Sequence, residues 1–127
     1  MYPIELPSGL GLEASGVVEE IGSEVSLFKI GDRVSHASAP ISGYSEKQIM
    51  PEEKLVTVPE CISDEIASCI LLKGITSEYL LHRSYAVKKG DKVLFHAAAG
   101  GVGQILCQWA NALGLSLIHI SEPTRHA

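Results

Sequence analysis

Apolar and polar residues alternate in short runs over the first sixty or so residues, and glycine or proline separates each run from the next. This period of two predicts short β-strands, because successive side chains of a strand point to opposite faces. We expect these strands to form a small antiparallel sheet or a partial barrel. The runs are residues 16–22, 32–36, 43–49 and 54–59.

A helical period replaces this alternation after residue 62. Ser63 is the predicted N-cap, and the acidic Asp64 and Glu65 that follow it suit the positive end of a helix dipole. Apolar residues then recur at a spacing of 3.6. Gly74 interrupts the pattern, so we expect a second helix over residues 76–85.

A strand, a glycine turn and a helix follow one another in the last third of the chain. Residues 92–98 are almost continuously apolar and predict a buried strand, Gly100 to Gly103 predict a tight turn, and residues 104–113 predict a helix. This order is typical of a dinucleotide-binding site, where the backbone approaches the pyrophosphate and the helix N-terminus faces it. Gly100 suits the close approach to phosphate, and Gly103 suits the close packing of helix on strand.

Composition limits the function classes further. Hydrophobic residues make up 46% of the chain, which suits a folded domain, and the net charge of −5 carries no signature of nucleic-acid binding. The three cysteines form no CxxC pair, and no apolar run is long enough to span a bilayer. We therefore expect a soluble cytoplasmic protein without a membrane or nucleic-acid partner.

Four segments occur in an order that is typical of one family. They are residues 6–18 (LPSGLGLEASGVV), 29–34 (KIGDRV), 72–76 (LKGIT) and 90–103 (GDKVLFHAAAGGVG). Together they resemble the zinc-free quinone oxidoreductases, also called zeta-crystallin-like proteins, of the medium-chain dehydrogenase/reductase superfamily. The resemblance covers residues 2–114.

The resemblance implies an α/β fold in two partial domains. Residues 1–62 would belong to a β-rich GroES-like catalytic domain, and residues 63–114 would begin a Rossmann-type nucleotide-binding domain. Members of the family extend beyond this segment at both ends, so we expect a fragment truncated at both ends. The fragment is expected to be inactive by itself, because residues on the nicotinamide side are missing.

The resemblance also implies an activity and a set of site residues. The full-length parent would be a homodimer that uses NADPH to reduce a quinone or a similar electron-poor acceptor. Tyr44 would lie on the substrate side, and no catalytic residue is identified. The implied cofactor-binding residues are Lys73, Thr76, Ala99, Gly100, Gly101, Val102 and Gly103.

One residue decides the expectation about zinc. Zinc alcohol dehydrogenases of the superfamily carry Gly-His-Glu where this chain has Gly11, Leu12 and Glu13, and leucine cannot ligate a metal. We expect no metal site, so hydrogen bonds would have to polarise the acceptor carbonyl. A buried, paired structural carboxylate is the favoured role of Glu13, and a core position is favoured for His96.

Two other functions fit the same residues. An enoyl reductase of the superfamily would share the glycine turn but reduce a carbon–carbon double bond. A crystallin-like protein would bind NADPH without catalysis.

The last segment does not continue the family pattern. Residues 115–125 correspond to one translation frame of a sequencing-library adapter, so we expect residues 115–127 to be a non-native tail outside the fold. The alternative is a divergent natural strand.

Overall fold

The computed structural model describes residues 5–120, and for residues 119 and 120 it describes only the backbone. Contacts within the chain divide it into two compact units, Met1–Leu72 and Lys73–Ala127. In the described part of the chain, no helix is long and apolar enough to cross a membrane.

The first unit contains a three-stranded antiparallel sheet. Its strands are β1 (Ala14–Val17), β2 (Arg33–His36) and β3 (Val56–Thr57), in the order β1-β2-β3. In register, Ala14 lies opposite His36, and Val34 lies opposite Thr57. The last three residues of β2 are buried, as expected for a strand with a neighbour on each side.

Residues 43–49 do not form the predicted strand. Tyr44 to Lys47 are all exposed, so the apolar and polar positions of this run do not separate into a buried and a solvated face. The segment instead is a loop, fixed to residues 10–11 by two backbone hydrogen bonds. The N–H groups of Gly43 and Tyr44 donate to the carbonyls of Gly11 and Leu10 at 3.0 and 3.1 Å.

A single helix, α1 (Asp64–Glu78), replaces the two that were predicted, and it continues into π-helical turns at Tyr79–Ser84. Its predicted start is confirmed, since the Ile66 N–H donates to Ser63 Oγ at 3.4 Å. Gly74 does not end the helix. A helical glycine costs only about 1 kcal/mol relative to alanine, which packing of the neighbouring residues offsets.

The second unit is built on a β–α–β arrangement. Strands β4 (Lys92–His96) and β5 (Ser116–Ile120) pair in parallel, and α2 (Gly101–Ala112) connects them. Their core consists of Leu81, Leu106, Ala110 and Leu115, with a surrounding layer of partly buried apolar residues. Only one face of β4 is covered within the described residues, because Leu94 remains 53% exposed.

The start of the expected non-native tail takes part in this core. Leu115 is buried and Leu117 packs against the core, whereas Ser116 and Ile118 are exposed. This alternation suits a strand beside β4, so residues 115–120 have a place in the fold that the sequence analysis did not assign to them. The position of β5 says nothing about whether residues 115–127 are native. Their adapter origin stays a prediction. Residues 121–127 lie outside the described residues.

The Arg33 guanidinium connects β2 to the beginning of α1. Arg33 Nη2 lies 2.7 Å from Asp64 Oδ1 and 2.8 Å from the Ile62 carbonyl oxygen, and Ser15 Oγ donates to the same Asp64 oxygen at 3.2 Å. The hydrogen bond from Arg33 is the main reason that the pKa of Asp64 is lowered from its ordinary value of 3.8.

Asp64→Asn should therefore reduce stability in a pH-dependent way. A lowered folded-state pKa contributes stability above pH 3.8, and this contribution is lost as the pH falls through that pKa. Acid-unfolding curves should show a wild-type advantage at neutral pH that disappears in strong acid. Glu60→Gln is the control, and a wild-type advantage independent of pH would contradict the assignment.

Gly74→Ala should raise the unfolding free energy of the second unit by about 0.5–1 kcal/mol, because alanine loses less backbone entropy in a helix. A Cβ at Gly74 would meet no atom within 4 Å. Gly90→Ala is the matched control: its surroundings are equally open, but φ is +91°. It should cost about 1–2 kcal/mol. Urea denaturation measures both, and equal effects would refute the comparison.

Candidate dinucleotide-binding turn

The glycine turn begins directly after β4. Ala97 has a φ of +59°, which reverses the chain direction, and the Gly100 N–H closes the turn on the Ala97 carbonyl at 2.9 Å. Gly100 is the N-cap of α2, in an extended conformation. The helix thus begins three residues earlier than the predicted Gln104, and the turn occupies residues 97–100.

Gly103 allows α2 to pack directly on the end of β4. A Cβ at this position would lie 2.5 Å from the Ala98 carbonyl oxygen and 2.7 Å from that of Ala97. Both neighbours are backbone atoms, which cannot rotate away as a flexible side chain can. Any larger residue would therefore have to move the helix off the strand.

The N-terminus of α2 has the properties of an anion site. The N–H groups of the first helical turn have no partner inside a helix, and the N-cap, Gly100, has no side chain with which to cap them. Gly100 and Gly101 are exposed, so a ligand can approach the backbone closely. Gln104 Nε2 donates to the Ala99 carbonyl at 3.0 Å and holds the turn in place. A helix N-terminus with exposed glycines suits an anion such as a pyrophosphate.

Lys73 lies against the same helix end. A Cβ on Gly101 would lie 3.1 Å from Lys73 Cδ and 3.2 Å from Lys73 Cε, so the lysine ammonium is carried to the N-terminus of α2. The fully buried Ser77 lies one helical turn further along α1. Its hydroxyl donates to the Lys73 carbonyl at 2.8 Å and lies 3.5 Å from the Val102 carbonyl.

All seven predicted cofactor residues belong to the second unit, and Tyr44 belongs to the first. Thr76 is half-buried in α1, next to Ser77. Sequence reasoning missed Ser77, although its position four residues after Lys73 is a signal that helical periodicity could have used. His96 was expected in the core but is exposed at the end of β4.

The residues at the position of the superfamily's zinc site do not fit a metal. Leu12 offers no ligand atom, and Glu13 Oε1 accepts a hydrogen bond from the Leu72 N–H at 2.8 Å. Within residues 5–120, no three His, Cys, Asp or Glu side chains are grouped so that they could hold an ion.

Comparisons with known proteins agree with this geometry. The family model for the alcohol dehydrogenase GroES-like domain matches residues 1–91. A quinone oxidoreductase of Pseudomonas aeruginosa is 52% identical over 127 residues, covering 98% of this chain and 39% of that protein. A 2-haloacrylate reductase of Burkholderia is 45% identical over 116 residues, covering 90% of this chain and 35% of that protein.

Two solved structures extend the comparison. The Escherichia coli quinone oxidoreductase complexed with NADPH has a TM-score of 0.90 and 46% identity, covering 98% of this chain and 38% of that chain. The CurK enoyl reductase has a TM-score of 0.81 and 31% identity, covering 93% and 35%. The chain thus spans less than two fifths of the length of these relatives.

A small antiparallel sheet unit followed by a strand, a glycine turn and a helix defines a class of two-unit α/β proteins with a dinucleotide-type turn. Within that class, the chain belongs to the alcohol dehydrogenase GroES-like domain family. Its relatives and structural neighbours place it beside the quinone oxidoreductases of the medium-chain dehydrogenase/reductase superfamily.

Gly103→Ala should destabilise the second unit by about 1–3 kcal/mol, since the added methyl group overlaps two carbonyl oxygens. Trp109, the one tryptophan of the chain, lies on α2 and reports unfolding by its fluorescence. Gly101→Ala is the matched control, because its Cβ would contact only the flexible Lys73 side chain. Equal stability of the two variants would argue against direct packing of α2 on the turn.

Proposed function

We propose that this chain is part of an NADPH-dependent oxidoreductase that transfers reducing equivalents to a quinone or a similar electron-poor acceptor without zinc. The observation that carries the proposal is the N-terminus of α2, where the N-cap is an exposed glycine and the Lys73 side chain lies beside Gly101. The quinone oxidoreductase relatives support the acceptor class, and the NADPH complex of one structural neighbour supports the cofactor.

The residues of the turn have distinct tasks in this proposal. Backbone groups from Ala99 to Gly103 hold the pyrophosphate, and the Lys73 ammonium adds positive charge on the same side. When bound, NADPH supplies the hydride. Gly103 keeps the helix N-terminus close to the strand, which fixes where the phosphates lie relative to β4.

Tyr44 is the substrate-side residue of the proposal. Its side chain is 83% exposed, so both its ring face and its hydroxyl are accessible. An aromatic ring suits stacking on a flat quinone, and a hydroxyl can donate to a carbonyl oxygen. In a site without a metal ion, such a donor would polarise the acceptor.

The domain assignment is also part of the proposal. Residues 1–62 would be catalytic-domain sequence, residues 63–114 nucleotide-domain sequence, and residues 115–127 an adapter-derived tail. The change between compact units falls inside α1, after Leu72, ten residues beyond this proposed domain boundary. We further propose a cytoplasmic, homodimeric full-length protein.

Reduction of an activated carbon–carbon double bond is the second candidate. The 2-haloacrylate reductase at 45% identity and the enoyl reductase among the structural neighbours favour it, since their names specify unsaturated substrates. The glycine turn would serve this reaction equally well, because it contacts only the cofactor.

Kinetics of the full-length protein that carries this chain distinguish the candidates. NADPH oxidation should be supported by benzoquinone, and not by 2-chloroacrylate or an enoyl thioester. Lys73→Met should raise the KM for NADPH about tenfold, as expected for loss of a charge-assisted contact to phosphate. Lys88→Met, which removes an exposed lysine from the turn before β4, should change nothing.

Each alternative result has a definite meaning. Turnover of 2-chloroacrylate or the enoyl thioester without turnover of benzoquinone would support the second candidate function. Nucleotide binding without turnover of any acceptor would favour the crystallin-like function. Failure to bind NADPH would overturn the proposal.

A further inference from the structure

A chain of polar side chains joins the loop that carries Tyr44 to the buried centre of the first sheet. Ser42 Oγ donates to Gln48 Oε1 at 2.8 Å, and Gln48 Nε2 lies 2.5 Å from His36 Nε2. His36 is in β2 and only 2% exposed. We call residues 37–48 the Tyr44 loop, and we call the hydrogen-bonded side chains of Ser42, Gln48 and His36 the polar chain.

The hydrogen-bond directions along this chain follow from the orientation of the Gln48 amide and from the Ser38 carbonyl. With its amide nitrogen towards the ring, Gln48 donates to His36 Nε2. The ring proton then lies on Nδ1, which is 3.3 Å from the Ser38 carbonyl oxygen and can donate to it. All three contacts are satisfied together by one neutral tautomer of His36 and one orientation of the Gln48 amide.

Ser42 and Gln48 stand on either side of Tyr44 in the loop, two and four residues away. Tyr44 is itself 83% exposed, and its side chain therefore has little packing of its own to hold it. Backbone hydrogen bonds from Gly43 and Tyr44 to residues 10–11 fix the front of the loop. The polar chain connects Ser42 and Gln48 to each other, and Gln48 connects both to His36 in β2, the best-buried strand of the sheet.

We propose that Ser42, Gln48 and His36 act together as positioning residues that hold Tyr44 in place for the acceptor. The acceptor role of Tyr44 rests on the proposed function, whereas the holding of the loop rests on the contacts above. The three residues touch no reacting atom. They act by restricting the loop to one conformation, so that binding of the acceptor does not have to order it.

Fluorine NMR on the 127-residue chain labelled with 3-fluorotyrosine tests the holding of the loop. The Tyr44 resonance is assigned by its loss in Tyr44→Phe. In Ser42→Ala and Gln48→Met it should move towards the position of a free tyrosine, while Ser42→Thr, which keeps the hydroxyl, should restore the wild-type position. Lys54→Met is the matched control, since Lys54 Nζ donates to the same loop at the Ala39 carbonyl, outside the polar chain.

A nitrogen NMR measurement tests the hydrogen-bond directions along the same side chains, independently of the Tyr44 resonance. Long-range proton–nitrogen spectra should show His36 with its proton on Nδ1 in the wild type, and a mixture of tautomers in Gln48→Met. An unchanged Tyr44 resonance in both Ser42→Ala and Gln48→Met would overturn the proposal. So would a wild-type His36 that carries its proton on Nε2.

Kinetics of the full-length protein test the consequence for the acceptor. Ser42→Ala and Gln48→Met should raise the KM for benzoquinone roughly 2- to 10-fold, the range expected for loss of one hydrogen bond, with the KM for NADPH unchanged. An equal rise in both KM values would overturn the proposal. If the wild type reduces no acceptor, the proposed function fails, and the NMR measurements still decide whether the polar chain holds Tyr44.

Discussion

The backbone oxygens of Ala97 and Ala98 leave no room for a side chain at residue 103, and the arrangement of the second unit depends on that close approach. Because Gly103 permits it, α2 begins directly at the end of β4. The first N–H groups of the helix then lie beside the turn, where the Lys73 side chain also reaches. A packing constraint thus creates the electrostatic site, since a helix held further away would present its positive end elsewhere.

Buried polar groups have a corresponding importance in the first unit. Its buried apolar residues within the described range are Val34, Val58 and Ala67, which is a small core. Ser35 and His36 are buried beside them, and Ser35 Oγ lies 2.9 Å from the Ala14 carbonyl oxygen and 3.0 Å from that of Ala67. Hydrogen bonds of Ser35 therefore help to hold β1, β2 and α1 together, and they are more directional than apolar contacts.

Local patterns could be predicted where local physics determines the outcome. The succession of strand, glycine turn and helix was predictable, because its residues satisfy each other's requirements within about twenty positions. The failures have tertiary causes. Continuity of α1 through Gly74 depends on packing, and the loop at residues 43–49 depends on backbone bonds to Gly11 and Leu10. The partners of His36 have no signal in a linear pattern, since the contacts of its ring with Ser38 and Gln48 depend on how the loop folds back on β2.

The glycine turn of the second unit and the loop of Tyr44 in the first unit suit different parts of the proposed reaction. The turn at residues 97–103 offers backbone donors, and Lys73 lies beside it. These groups suit phosphate charge and do not distinguish between compounds that could be reduced. In the proposed function, discrimination between a quinone and an activated alkene therefore comes from side chains on the acceptor side. Among the described residues, Tyr44 is the predicted contributor there, and its loop is held by contacts that the turn does not share. The candidate cofactor turn and the loop of the proposed acceptor residue are thus held by separate sets of contacts.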